Sequence, residues 1–212
     1  MDMNTPRAAQ PATAAGPAAR LFGRITQPVA YLSTTRANSV AGLLADVVVC
    51  IVLLAAGLRR QDSSLLPAML ALGCGLFFFS FVEYAFHRWL FHGRAGIMEQ
   101  GHRKHHEQPL GHDSLPFFFA PLLLAGLAML IARVVPTTLA LLFCGGLAAG
   151  YATYGWSHVI IHNTRFRGAL PRRWAALHHI HHRHPERNFG VTTPLWDALL
   201  RTRYAPGPRR PS

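Results

Sequence analysis

Charge is the first thing this chain has little of. Charged residues make up 14% of its 212 residues, and only nine of them are Asp or Glu. A soluble domain usually carries about a quarter, so a water-exposed surface all round is excluded. Lys and Arg number 21, giving a formal charge of +12. Such an excess can signal nucleic-acid binding, but here the basic residues fall outside the apolar runs and form no face on a soluble fold; arginine-rich segments beside membrane spans account for them, and no nucleic-acid partner is expected. Cysteine is nearly missing too. Cys50, Cys74 and Cys144 are scattered through apolar runs, which excludes a disulfide framework and a cysteine zinc site.

Apolar residues, by contrast, make up 50% of the chain. They gather in four runs: Ala41 to Leu58, Leu65 to about Phe91, Phe117 to Val135, and Thr137 to about Ile161. A bilayer core of roughly 30 Å takes about 20 helical residues. The runs are apolar all round, where a soluble bundle would show charged stripes. The expected fold is an all-α integral membrane protein, a four-transmembrane-helix bundle with a cytoplasmic histidine-rich cap. Residues 1–38, rich in Ala, Pro and Arg, read as a flexible N-terminal tail and not a signal peptide, because the first apolar run starts too late. Residues 39–205 form the membrane domain and 206–212 a basic C-terminal tail. Arginines concentrate in the N-terminal tail, the second loop and the C-terminal part; four spans put all three on one side, so both termini are expected in the cytoplasm. Arg59 and Arg60 in the first loop run against this rule.

Histidine is over-supplied, with 13 copies. The sequence LHHIHHRHPE contains His178, His181 and His182 in an HxxHH pattern. On a helix those positions share one face, and neutral imidazole is the commonest side-chain metal ligand. The same pattern recurs at His102, His105 and His106, and HVIIH supplies His158 and His162 at i, i+4. The second run ends in EYAFHRWLFH, where His87 and His92 are five apart. On a straight helix that spacing separates two rings by about 140°, so these two converge only if the helix ends or bends, which Gly93 permits. The four-spans reading puts every cluster at one membrane face. Ten imidazoles exceed one four-coordinate zinc and suit two metals with about five ligands each. His112, His179 and His184 fall outside the pattern, although His179 with His182 offers another i, i+3 register. Glu83, one turn before His87, is placed to orient that ring or to pair with an arginine at the helix end. Asn188 and Asp197 serve either as supports behind the ligands or as cap and turn residues.

HRWLFH, HRKHH, HVIIH and HHIHH, in this order around four apolar runs, resemble the fatty acid hydroxylase/sterol desaturase superfamily of membrane non-haem diiron enzymes. The EYAFHRWLFH and NFGVTTPLWD blocks are most similar to the fatty acid (sphingolipid) 2-hydroxylases. The likeness covers about residues 70–205. It implies a metal-ligand role for the ten histidines, two iron ions (with zinc an alternative occupant after purification), O2 as co-substrate and a lipid drawn from the bilayer. It also implies a lipid-biosynthetic membrane oxidoreductase that hydroxylates a fatty acyl chain at C2. Fused members of the family carry a cytochrome b5 domain that has no counterpart here, so a separate cytochrome b5-like or ferredoxin-like electron donor is expected. In a bacterium the location would be the inner membrane. The loop PLGHDSLPFFFAP lacks the arginine that this branch places after the aspartate, and RFRGALPRRW resembles carotenoid hydroxylases, so a carotenoid or sterol hydroxylase or desaturase remains the alternative.

The chemistry accords with the residues. Breaking an unactivated C–H bond needs an oxidant that side chains do not supply, and imidazoles can hold metals while leaving positions open. Arg172 and Arg173 are candidates for a lipid head group, or anchor the chain to anionic lipid. A non-enzymatic membrane metal- or lipid-binding protein is a further alternative. As a transporter it would need ionisable residues lining a path through the spans, and only Asp46 and Glu83 qualify; a lapsed, lipid-holding enzyme would be expected to have lost pattern histidines, and all ten are present.

Overall fold

A computed structural model describes residues 28–206 apart from 30, 61, 94 and 95. Among them the chain is all-helical. Helix α1 spans Arg36–Arg59 and α2 Leu65–Ala85, continuing without a break into a π-helical turn, Phe86–Phe91. Then come α3 (Ile97–Glu107), α4 (Phe119–Ile131), α5 (Thr137–Asn163), α6 (Ala169–Arg183) and the short α7 (Leu195–Leu199). Pro67, Pro121 and Pro171 each occupy the third position of a helix, where a missing N–H costs no intrahelical bond.

Among the described residues three helices are long and apolar enough to cross a membrane: α1, α2 with its π turn, and α5. The protein is a multi-pass membrane protein. The expected fourth span is the exception. Of the run Phe117–Val135, only the 13 residues of α4 are helical, about 20 Å of helix against a core of roughly 30 Å. Phe118 precedes the helix, and residues 132–135 unwind into turns before Pro136. Hydropathy counted these residues as span, but the chain needs them to turn. By helix length a four-helix transmembrane bundle is therefore not established.

The N-terminal tail expected over 1–38 lies outside the described residues as far as position 27. Its last part is built into the fold: Thr35 caps α1 by accepting from the Asn38 amide at 3.2 Å. The buried Asn38 side chain donates to Ser114 and to the Leu115 carbonyl, each at 2.9 Å, and accepts from the Phe117 amide at 3.0 Å. This fixes the start of α4 at the N-terminal end of α1. At the opposite end Asp62, between α1 and α2, accepts from the Thr137 and Thr138 amides at 3.1 Å and so caps α5. Of the expected C-terminal tail, 206–212, all but residue 206 lies outside the described residues.

Helix α5 is the axis of the fold. Its small residues Gly145, Gly146, Ala148, Gly150 and Ala152 are buried, letting neighbouring backbones approach closely. A Cβ on Gly75 of α2 would lie 2.1 Å from the Phe143 carbonyl oxygen, and one on Gly146 2.5 Å from that of Leu72. Leu53, Phe79, Leu124, Ala128 and Cys144 fill the core between α1, α2, α4 and α5. Close contact of α2 with α5 brings their two histidine-bearing ends together.

Candidate metal centre

Each histidine cluster is set by its element. The π-helical turn resolves the awkward His87–His92 spacing. There the His92 amide bonds the His87 carbonyl at 3.2 Å, an i→i+5 bond. That wider turn swings the two rings together, and their centroids are 5.2 Å apart. Gly93 ends the turn so close to the Trp89 carbonyl that a Cβ would sit 1.9 Å from its oxygen. Both HxxHH motifs are helical, on α3 and α6, and HVIIH occupies the last turns of α5.

The ten expected histidines gather in two groups of five. His87, His92, His102, His106 and His181 form one; His105, His158, His162, His178 and His182 form the other. Within each group the ligand atoms all lie within 4.8 Å of one another. Each HxxHH motif is divided between them: α3 gives two rings to the first group and one to the second, and α6 does the reverse. Rings also meet across the boundary, His106 stacking on His182 at 4.4 Å. His184 stacks instead on Tyr204, 4.5 Å away, and His112 and His179 belong to neither group.

A metal is the arrangement that these atoms fit. His102 Nε2 lies 3.0 Å from His87 Nε2, 3.0 Å from His92 Nε2 and 3.1 Å from His106 Nε2. A ring nitrogen has one proton or one lone pair, so three such contacts cannot all be hydrogen bonds. Nitrogens at right angles about an ion 2.0–2.1 Å away would be about 3 Å apart, which is the spacing present. The second group repeats it, with His178 Nε2 3.0 Å from His162 Nε2 and 3.1 Å from His182 Nε2. Burial holds the rings outside the spans in the neutral form that a metal requires. It pushes His92 down to about 4, and His105 and His181 to about 3. His102, His106, His178 and His182 are depressed for the same leading reason.

Behind the rings lies a loop whose role the sequence did not reveal. His87 Nδ1 is 2.5 Å from the Phe189 carbonyl oxygen and His181 Nδ1 is 2.7 Å from that of Arg187. Carboxylates hold the loop in place. Asp197 accepts from the Phe189 amide at 2.9 Å, the Gly190 amide at 2.8 Å and the Thr202 hydroxyl at 2.7 Å. Glu83 accepts from the Val191 and Thr192 amides at 2.6 and 3.0 Å and the Thr192 hydroxyl at 2.5 Å. Among the described residues Glu83 therefore neither bonds His87 directly nor pairs with an arginine; its oxygens are spent on two backbone amides and a hydroxyl 108 and 109 residues away. Asn188, at φ 54°, donates to the Leu177 carbonyl at 3.2 Å and accepts from the Tyr204 amide at 2.8 Å. Arg172 and Arg173 are exposed in the first half of α6.

Two openings border the described helices. An apolar groove of about 480 Å³ runs between α1 and α5, lined by Val47, Cys50, Ile51 and Ala152 and ending at Trp156 and Ile160, which lie on the face of α5 opposite His158 and His162. On the other side a cleft of about 280 Å³, lined by Phe91, Glu99, Arg103 and Pro185, reaches His92 and His106.

Residues 72–202 match the sequence profile of the fatty acid hydroxylase family. The chain belongs to that family. Its members are metal-dependent, and the two histidine groups are where this one could hold its metal. A fatty acid 2-hydroxylase of Mus musculus is 30% identical over 163 residues, which is 69% of this chain and 44% of the mouse protein. A dihydroceramide fatty acyl 2-hydroxylase of Arabidopsis thaliana is 31% identical over 140 residues, 60% of this chain and 58% of the plant protein. The chain thus spans about half the length of the curated relatives it matches. The visible hydroxylase domain of full-length Scs7p superposes with a TM-score of 0.69 at 23% identity, covering 87% of this chain and 71% of that one, which shows the shared fold.

Proposed function

We propose that the chain is a membrane lipid hydroxylase that inserts one oxygen atom from O2 into an acyl C–H bond, most simply at C2, using two electrons. The observation that carries this is the pair of five-imidazole groups at one end of the membrane helices, in a family whose matched relatives bear the names of fatty acyl 2-hydroxylases. The reading assigns His87, His92, His102, His106 and His181 to one metal and His105, His158, His162, His178 and His182 to the other. Iron is proposed for both, since imidazole alone does not select iron over zinc and only a redox metal activates O2 for this reaction.

The chain's own residues do the rest. Neutral Nε2 atoms point inward, while the loop 187–192 holds His87 and His181 by their outer nitrogens. Glu83, Asn188 and Asp197 are positioning residues for that loop. The acyl chain enters sideways between helices from the bilayer, with its polar end beside the exposed Arg172 and Arg173. Electrons come from a separate one-electron carrier on the polar side. The chain crosses the membrane four times, α4 and its flanking turns making the fourth passage, with both termini and the histidine end in the cytoplasm. Residues 39–205 are the catalytic domain.

Lipid mass spectrometry of cells expressing the chain tests this, with a His105→Ala/His162→Ala/His181→Ala variant as control. A gain of one oxygen on acyl chains, absent in the variant, is expected. A change in carotenoids or sterols instead would move the substrate, and no change in any lipid would overturn the enzyme.

A further inference from the structure

The two histidine groups have the same number of rings but not the same support. In the first, His87 and His181 each place Nδ1 against a backbone carbonyl, at 2.5 and 2.7 Å. Those carbonyls belong to one loop, anchored by five bonds to the Glu83 and Asp197 carboxylates. In the second, no ring has an Nδ1 hydrogen bond among the described residues, and Nδ1 of His178 and of His182 is buried without any partner. An outer partner fixes the tautomer and aim of a ligating ring and raises its basicity. A ring without one must be aimed by packing alone, and a buried, unmatched N–H is costly to keep.

We infer that the two metal positions are unequal: the group of His87, His92, His102, His106 and His181 is prebuilt and binds a divalent transition metal first and tightly, while the group of His105, His158, His162, His178 and His182 binds the second ion weakly and exchanges it. This rests on the proposed metal-ligand role of the ten histidines. Glu83 is then a positioning residue for one metal only. It touches no ligand and acts on His87 through the Val191–Thr192 end of the loop.

The test is a Co2+ titration of the metal-free full chain in detergent micelles, following visible absorption and bound metal together, with chelator competition. Two separated steps are expected, one equivalent resisting chelator at concentrations that strip the other. His162→Ala should lose the weak step and keep the tight one, and His92→Ala the reverse. Glu83→Ala should weaken the tight step tenfold to a hundredfold and leave the weak step in place. Two equivalents that bind and leave together would overturn the inequality while keeping the dimetal reading, as would Glu83→Ala weakening both steps alike. A wild-type chain that takes up no Co2+ would overturn both.

Discussion

His87 and Phe189 are 102 positions apart, yet His87 Nδ1 lies 2.5 Å from the Phe189 carbonyl oxygen. A carbonyl oxygen only accepts, so Nδ1 carries the proton and Nε2 is left with a lone pair facing its four neighbouring rings. The same logic applies to His181 and the Arg187 carbonyl. The loop after the last histidine motif thus sets the chemical form of rings on two different helices.

Removing a support of that loop should cost stability. Asp197→Ala strands the buried amides of Phe189 and Gly190 and takes one of two partners from the Thr202 hydroxyl, which keeps Tyr84. At about 1–3 kcal/mol for each unmatched group, partly recovered by relaxation, the expected loss is on the order of 3–5 kcal/mol. Thermal unfolding of the purified variant in detergent measures it, and an unchanged midpoint would contradict the clamp.

Acid should destabilise the metal-free protein. His92 titrates near 4 and His105 and His181 near 3, all below the usual 6.5 because burial disfavours their charged form. As pH falls through about 6.5 the unfolded chain takes up protons that the folded centre refuses, so stability that is complete above that pH is lost progressively towards about pH 3–4. Midpoints measured across this window should fall with pH. A flat profile would mean that the rings are not desolvated as described.

Helix contact can be tested apart from the histidines. A Cβ on Gly75 would meet the Phe143 carbonyl, whereas one on Gly73, two residues away, meets nothing within 4 Å. Gly75→Val should destabilise the α2–α5 pair by roughly 1–3 kcal/mol or more and lower the metal content. Gly73→Ala should match the parent in both. Equal behaviour of the two variants would argue against the packing.

Single-histidine changes in each cluster should separate chemistry from folding. His105→Ala, His162→Ala and His181→Ala should each abolish lipid hydroxylation while the chain still inserts into membranes. Full activity in any of the three would remove that cluster from the centre.

The histidines were the legible part of the site, because metal geometry forces ligand spacing onto a helix and the spacing survives in sequence. All ten assigned by motif and resemblance fall in the two groups. The division of each HxxHH between them was not legible: i, i+3 and i+4 share a helix face, but which side of that face meets which ion depends on the partner helices. The π turn was hidden as well. HRWLFH looks the same whether hydrogen-bonded i→i+4 or i→i+5, and only the Gly93 stop hinted at a change. The sequence places Glu83 one turn before His87 on α2, yet its partners are two backbone amides and a hydroxyl more than a hundred residues on, which no local pattern encodes. For α4, hydropathy marked Phe117 to Val135 as one apolar run, but it does not register where a helix must unwind to turn.

The most direct test of the central claim is to grow expressing cells under isotopically labelled O2 and fragment their acyl lipids by mass spectrometry. The account predicts one labelled oxygen in a new hydroxyl at C2, present with the parent chain and missing with the triple histidine variant. An unlabelled hydroxyl, whose oxygen came from water, or no new hydroxyl at all, would contradict it.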